Sequence, residues 1–90
     1  MKINIESQPS KTVLKALGVL SWPIWEKEIS EFPWFYDAEE VCYILEGVVT
    51  VTPNGGQPVT LKVGDLVTLP AGIACRWDIT QAIRKHYIFR

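Results

Sequence analysis

The 90-residue chain has one histidine and two cysteines, and that shortage excludes several classes of site. Metal centres built on imidazole or thiolate need several such ligands at set spacings. His86 with Cys42 and Cys75 supplies neither a zinc spacing nor a disulfide scaffold, and no tight metal or other cofactor is expected. In a reducing compartment the two thiols are expected to be free. Long apolar runs are also missing. The greasiest stretch, residues 13–25, is interrupted by Lys15, Gly18 and Pro23. It falls short of the ~18 apolar residues a membrane helix needs, so no membrane partner is expected. The start, Met-Lys-Ile-Asn-Ile-Glu, has no basic region leading into an apolar one, so no signal peptide is expected and a cytoplasmic location follows by default. Neither charge sign dominates: nine Lys and Arg face ten Asp and Glu, for a net charge of −1. A nucleic-acid partner would call for a basic excess. Repeats, low-complexity tracts and linkers are absent, and the length suits one domain over residues 1–90.

What is abundant is apolar and aromatic: 48% hydrophobic residues, 11% aromatic ones and four Trp. That composition folds. The charges are unevenly spread. Seven acids (Glu26, Glu28, Glu31, Asp37, Glu39, Glu40, Glu46) and only Lys27 lie between positions 26 and 46, a net of −6 against +5 elsewhere. Two readings follow: solvated faces that partly pair with each other, or an acidic mouth around a pocket that favours cationic or metal ligands.

Residues 1–8 read as an edge strand, with Ile3 and Ile5 alternating with polar neighbours. Pro9 and Ser10 open a two-turn helix that places Val13, Leu14 and Leu17 on one face and ends at Gly18. A helix this short must pack on something. From Ser21 onward, short β-branched and aromatic runs alternate with Pro and Gly. Trp22–Trp25, Phe32–Tyr36, Val41–Leu45, Val48–Thr52, Val59–Val63, Leu66–Leu69, Cys75–Ile79 and His86–Phe89 are the candidates. Pro53-Asn54-Gly55-Gly56 is a strong hairpin turn, and Gly64-Asp65 another. Seven to nine short strands with no helices between them call for a sandwich or barrel.

Two blocks carry more. In Glu40-Val-Cys-Tyr-Ile-Leu-Glu-Gly47 a Glu precedes a Gly by seven positions across an apolar strand. In Gly64-Asp-Leu-Val-Thr-Leu-Pro70-Ala-Gly72 a turn, a strand and a second sharp turn follow one another. Together they resemble the two motifs of the cupins over residues 22–90. The segment 22–28 and the Cys75-Arg76-Trp77 step narrow the likeness to the small single-domain cupins grouped with the ureidoglycine-aminohydrolase and ethanolamine-utilisation types (the domain-of-unknown-function 861 type). The resemblance implies an all-β double-stranded β-helix, a jelly-roll barrel, here with one short N-terminal helix and with a pocket at one mouth. A metal-binding cupin of this pattern carries two His before the Glu and one after the Pro-x-Gly. Those positions hold Trp34, Tyr36 and Cys75 in this chain, while Glu40 is retained. Indole does not ligate, and phenol does so only when ionised.

Strand alternation puts Trp34 and Tyr36 on one face. Glu40 should point inward, either to organise the pocket through Tyr36 or a basic neighbour, or to bind ligand and move protons. Cys42 shares its side. Cys42 and Cys75 read as small apolar filler or as thiols at the site, and a disulfide between them stays open. Trp34, Tyr36 and Trp77 are either plain core or a stacking box. Trp22 and Trp25 read as packing or rim residues. His86 is a satisfied strand histidine or a proton shuttle beside Lys85 or Tyr87. Arg76 should face outward toward the acidic segment.

The expectation is a small-molecule pocket without the His metal ligands. Glu40, Tyr36 and Cys75 form its chemical centre, and Trp34, Cys42, Trp77 and His86 its ligand-binding lining. Whether it is an enzyme stays open. The alternatives are a filled cupin barrel acting as a structural or interaction module, with a homodimer as its partner, or a metalloenzyme with an atypical Tyr/Glu/Cys site for a divalent ion.

Overall fold

Two long strands organise the chain. In the computed structural model, which describes residues 2–90, β4 runs over Glu40–Pro53 and β7 over Ala74–Phe89. They pair antiparallel along nearly their whole length. The expected short runs 41–45 and 48–52 are therefore one strand, and so are 75–79 and 86–89. Between the halves the register slips at Ile44/Glu46, Glu46/Val48 and Val48/Val49. Such bulges bend a strand and sharpen its twist, letting one strand serve two layers. Gly47 makes the bend possible. It sits at φ +91°, and a Cβ there would strike the Ala82 carbonyl oxygen.

The shorter strands attach to either end of this pair. Around the first half of β4 and the second half of β7, the order is β1 (Asn4–Ser7), β6 (Asp65–Leu69), β4, β7, β2 (Ile24–Lys27). Around the other halves, β5 (Val59–Lys62) pairs with β4 and β3 (Ser30–Phe35) with β7. The result is one antiparallel sheet rolled into two facing layers, a jelly roll. β1 is an edge strand as expected, though Met1, included in that expectation, lies outside the described residues. The Asn54-Gly55 turn joins β4 to β5, with Gly55 at φ +73° and the Gly56 N–H donating to the Pro53 carbonyl at 2.9 Å.

Inward side chains from both layers meet in one core, with Val49, Val51, Leu61, Val67, Leu69, Ile79 and Ile83 all buried. A smaller cluster, Val19, Val41 and Leu66, lies on the outer face of the first layer. The helix α1 (Lys11–Leu17) and the 3-10 turn at Val19–Ser21 lie over that outer cluster. Ser10 caps α1 by accepting from the Val13 N–H at 3.2 Å, and Gly18 closes it at φ +71°. No residue of α1 is buried, and Leu14 supplies its contact with the outer cluster. Among the described residues, no helix is long and apolar enough to cross a membrane.

Candidate functional site

Odd-numbered positions of β7 face the barrel interior: Cys75, Trp77 and Ile79, then Ile83, Lys85 and Tyr87. From β4 the inward set begins with Glu40, followed by Cys42 and Ile44. β2 contributes Trp25 and Lys27, and β3 contributes Phe32 and Trp34. Tyr36 sits just beyond β3, where its N–H donates to the Ile73 carbonyl at 2.9 Å and its carbonyl accepts from the Gly72 N–H at 2.6 Å. The Pro70-x-Gly72 corner thus pins the segment that carries Tyr36.

The aromatic members of this set, with Lys27, Glu40 and Lys85, line a cavity of about 530 Å³ open at one end, a size suited to a small organic molecule. At its base, three polar groups form a chain. Tyr36 Oη donates to Glu40 Oε1 at 2.7 Å, and Lys85 Nζ donates to Glu40 Oε2 at 2.6 Å. The Lys85 and Glu40 side chains are only 6% and 3% exposed. Charges this deep are tolerated when paired and hydrogen-bonded, as these are. The ammonium also lies 4.8 Å from the Trp25 ring centre and 4.5 Å from that of Trp77. One N–H meets the carboxylate, and the others meet indole faces.

The aromatic wall is ordered around Trp77. Trp25 meets it edge-on with centroids 6.2 Å apart, and Phe32 stacks on it at 6.2 Å and 15°. Trp34 packs edge-on against Tyr36 at 6.4 Å but remains 48% exposed at the mouth. Trp77 is buried, and its Nε1–H has no hydrogen-bond partner among the described residues. An unmatched buried donor of this kind costs about 1–3 kcal/mol.

Burial shapes the titration of the nearby groups. It pushes the Tyr36 hydroxyl far above its ordinary value, and the Glu40 charge and hydrogen bond add to the shift. Tyr36 is therefore a neutral donor. Burial pushes the Cys42 thiol up to about 12, with Glu40 adding and the Lys85 cation opposing. Cys75 is raised too, by burial first, with the Trp77 N–H opposing and Glu40 adding. That N–H nonetheless forms no well-aligned bond to the sulfur and remains an unsatisfied donor. Both cysteines are free and buried thiols, and Cys75 Sγ donates to the Trp34 carbonyl at 3.5 Å.

Of the residues singled out from sequence, the cavity brings together Glu40, Tyr36, Trp34 and Trp77. Cys42 and Cys75 pack in the core behind the wall rather than lining the cavity. His86 points the other way, to the outer face, where Nδ1 lies 2.9 Å from the Trp22 carbonyl oxygen. Sequence reasoning gave Lys85 no role of its own and read Trp25 as packing or rim. Continuous odd parity along β7 would have found Lys85. The acidic segment does not make an acidic mouth. Its carboxylates pair outward: Glu31 with Arg76, Glu26 and Glu46 with Arg84 at 3.8 Å each, and Glu39 with Arg90 at 3.1 Å. Arg76 faces outward, as expected. The cavity's own charges are two lysines and one carboxylate.

Metal ligation fits this donor set poorly. Both Glu40 oxygens already accept a hydrogen bond, one of them from an ammonium that would repel a cation beside it. The thiols are held protonated, and the one histidine is outside. Among the described residues, no group of three or more His, Cys, Asp or Glu is placed to hold an ion.

Comparison with known proteins agrees with this architecture. A DUF861 family protein from Thermotoga maritima is 50% identical and superposes with a TM-score of 0.95 over 99% of this chain and 100% of its own. A putative ethanolamine utilization protein Q from Salmonella typhimurium shares the fold at 24% identity and a TM-score of 0.67, over 73% of this chain and 53% of its own. The acetate kinase EutQ of Escherichia coli (strain K12) is 29% identical over 73 residues, 81% of this chain, which spans only 29% of that relative's length. The EutQ-like cupin domain model matches residues 14–87, most of the sequence, and the chain therefore belongs to that family, as a small cupin of the DUF861/EutQ type.

Proposed function

We propose that the barrel is a small-molecule-binding module whose cavity takes a guest above the Tyr36–Glu40–Lys85 chain, without a metal ion. The observation that carries this reading is a fully buried ion pair at the base of an otherwise aromatic cavity of about 530 Å³. A core built only for stability does as well or better with apolar residues of the same volume at such positions. Polar groups converging at the end of an apolar pocket fix a ligand's orientation. Tyr36 is held in its neutral form and serves as a hydrogen-bond donor.

The test is a metabolite screen by thermal shift, repeated on Glu40→Gln and Tyr36→Phe, each hit scored against that variant's own melting temperature. A cavity ligand should lose most of its stabilising effect in at least one variant. Hits unaffected by both would remove this polar chain from binding. The absence of any hit, with the aromatic wall unresponsive to every compound, would favour a filled barrel that serves as a structural or interaction module.

A further inference from the structure

The cavity's polar groups are unequally used. Glu40 and Lys85 satisfy each other, and the second carboxylate oxygen holds Tyr36. One group remains unspent. Lys27 lines the cavity half-buried, with its Nζ 5.4 Å over the Phe32 ring, and no carboxylate lies within ion-pair distance of it among the described residues. Trp77 Nε1–H, though unpartnered, is fully buried on the Cys75 side and presents no surface to the cavity. A guest lying across the Phe32 ring therefore meets the Lys27 ammonium. What is unspent is one positive charge, and the remaining walls are aromatic.

We propose that the cavity takes an aromatic monoanion, with its acid group on the Lys27 ammonium and its ring against Phe32 and Trp34. This rests on the ligand-binding reading above and narrows it to one chemical class. A carboxylate or an enolate-like acid on a one- or two-ring body meets these demands. A cation does not, because Glu40, the one carboxylate lining the cavity among the described residues, is already held by Lys85 and Tyr36. A purely apolar guest would leave Lys27 unmatched.

The experiment compares three matched probes, indole-3-carboxylate, indole-3-carboxamide and indole-3-methylamine, by titration calorimetry and by NMR of the four tryptophan indole N–H signals. Trp34→Phe assigns the Trp34 signal. The carboxylate should bind about 10-fold more tightly than the amide, the margin of one charge-assisted contact at a half-buried site. It should also move the Trp34 signal. Lys27→Gln should erase the preference while leaving amide binding within twofold. Equal binding of carboxylate and amide, or tighter binding of the amine, would overturn this inference and leave the ligand-binding reading standing. An unmoved Trp34 signal in the presence of bound carboxylate would also overturn it. No response of any indole signal to any probe would overturn both.

Discussion

Replacing Lys85 by Met removes the cation paired with Glu40 and leaves a carboxylate, 3% exposed, with the Tyr36 hydroxyl as its one remaining partner among the described residues. Breaking a buried pair from one side costs about 3–5 kcal/mol, because the orphaned charge stays out of water. In a chain of this size each kcal/mol moves Tm by roughly 4–8 °C, so a fall on the order of 12 °C or more is expected. Glu40→Leu should cost a similar amount. It strands the ammonium between Trp25 and Trp77, whose rings at 4.8 and 4.5 Å offset only part of the lost Coulomb attraction. The double variant Glu40→Leu/Lys85→Met removes both charges together. Its main residual defect is the Tyr36 hydroxyl without an acceptor, worth about 1–3 kcal/mol. Urea unfolding of the four proteins closes the cycle, with a coupling of about 4 kcal/mol in favour of the intact pair. Losses that add within ~0.5 kcal/mol, or single variants each costing less than ~1 kcal/mol, would refute the account of a dry, mutually dependent pair.

Tyr36→Phe should lower stability by about 1–3 kcal/mol at unchanged m-value in urea, since it deprives Glu40 Oε1 of its donor. The raised Cys42 thiol gives stability a signed pH dependence. Above the unfolded pKa near 8.5 the unfolded chain releases a proton that the folded chain retains until about 12. Stability is thus full below pH ~8.5 and falls by up to ~1.4 kcal/mol per pH unit above it, with a flatter limb in Cys42→Ala measured by urea unfolding between pH 8 and 11. Neither thiol should react with a disulfide reagent at pH 8 until urea unfolds the chain. Gly47→Ala should cost more than about 3 kcal/mol, combining left-handed strain with the collision at Ala82, whereas Gly55→Ala, with open space around it, should cost only about 1 kcal/mol of strain by thermal melts.

Local chemistry carried much of the fold. The Ser10 cap, the Gly18 stop, the Asn54-Gly55 turn and the Gly64 corner each rest on a residue whose conformational preference is its own. The 34/36 alternation and the Glu40-to-Gly47 spacing likewise put Glu40 and Tyr36 together. What stayed hidden depends on long-range pairing. The break in apolar character around residues 80–84 reads as a strand end, yet β7 runs through it, and parity then sends Lys85 inward and His86 outward. The acidic stretch of 26–46 reads as one patch. Its partners, Arg76, Arg84 and Arg90, lie between 38 and 58 residues from the carboxylates they meet, and only the rolled sheet brings them alongside.

The shared backbone of β4 and β7 ties the two layers into one mechanical body. Neither layer owns its central strands, so a force or fluctuation that peels one of them must also unthread the other. Trp77 in the cavity wall and Glu40 and Lys85 at its base are therefore held by the same pair of strands. A guest that braces either end resists opening everywhere, and a loss of order at the Gly47 bend would slacken the whole barrel at once.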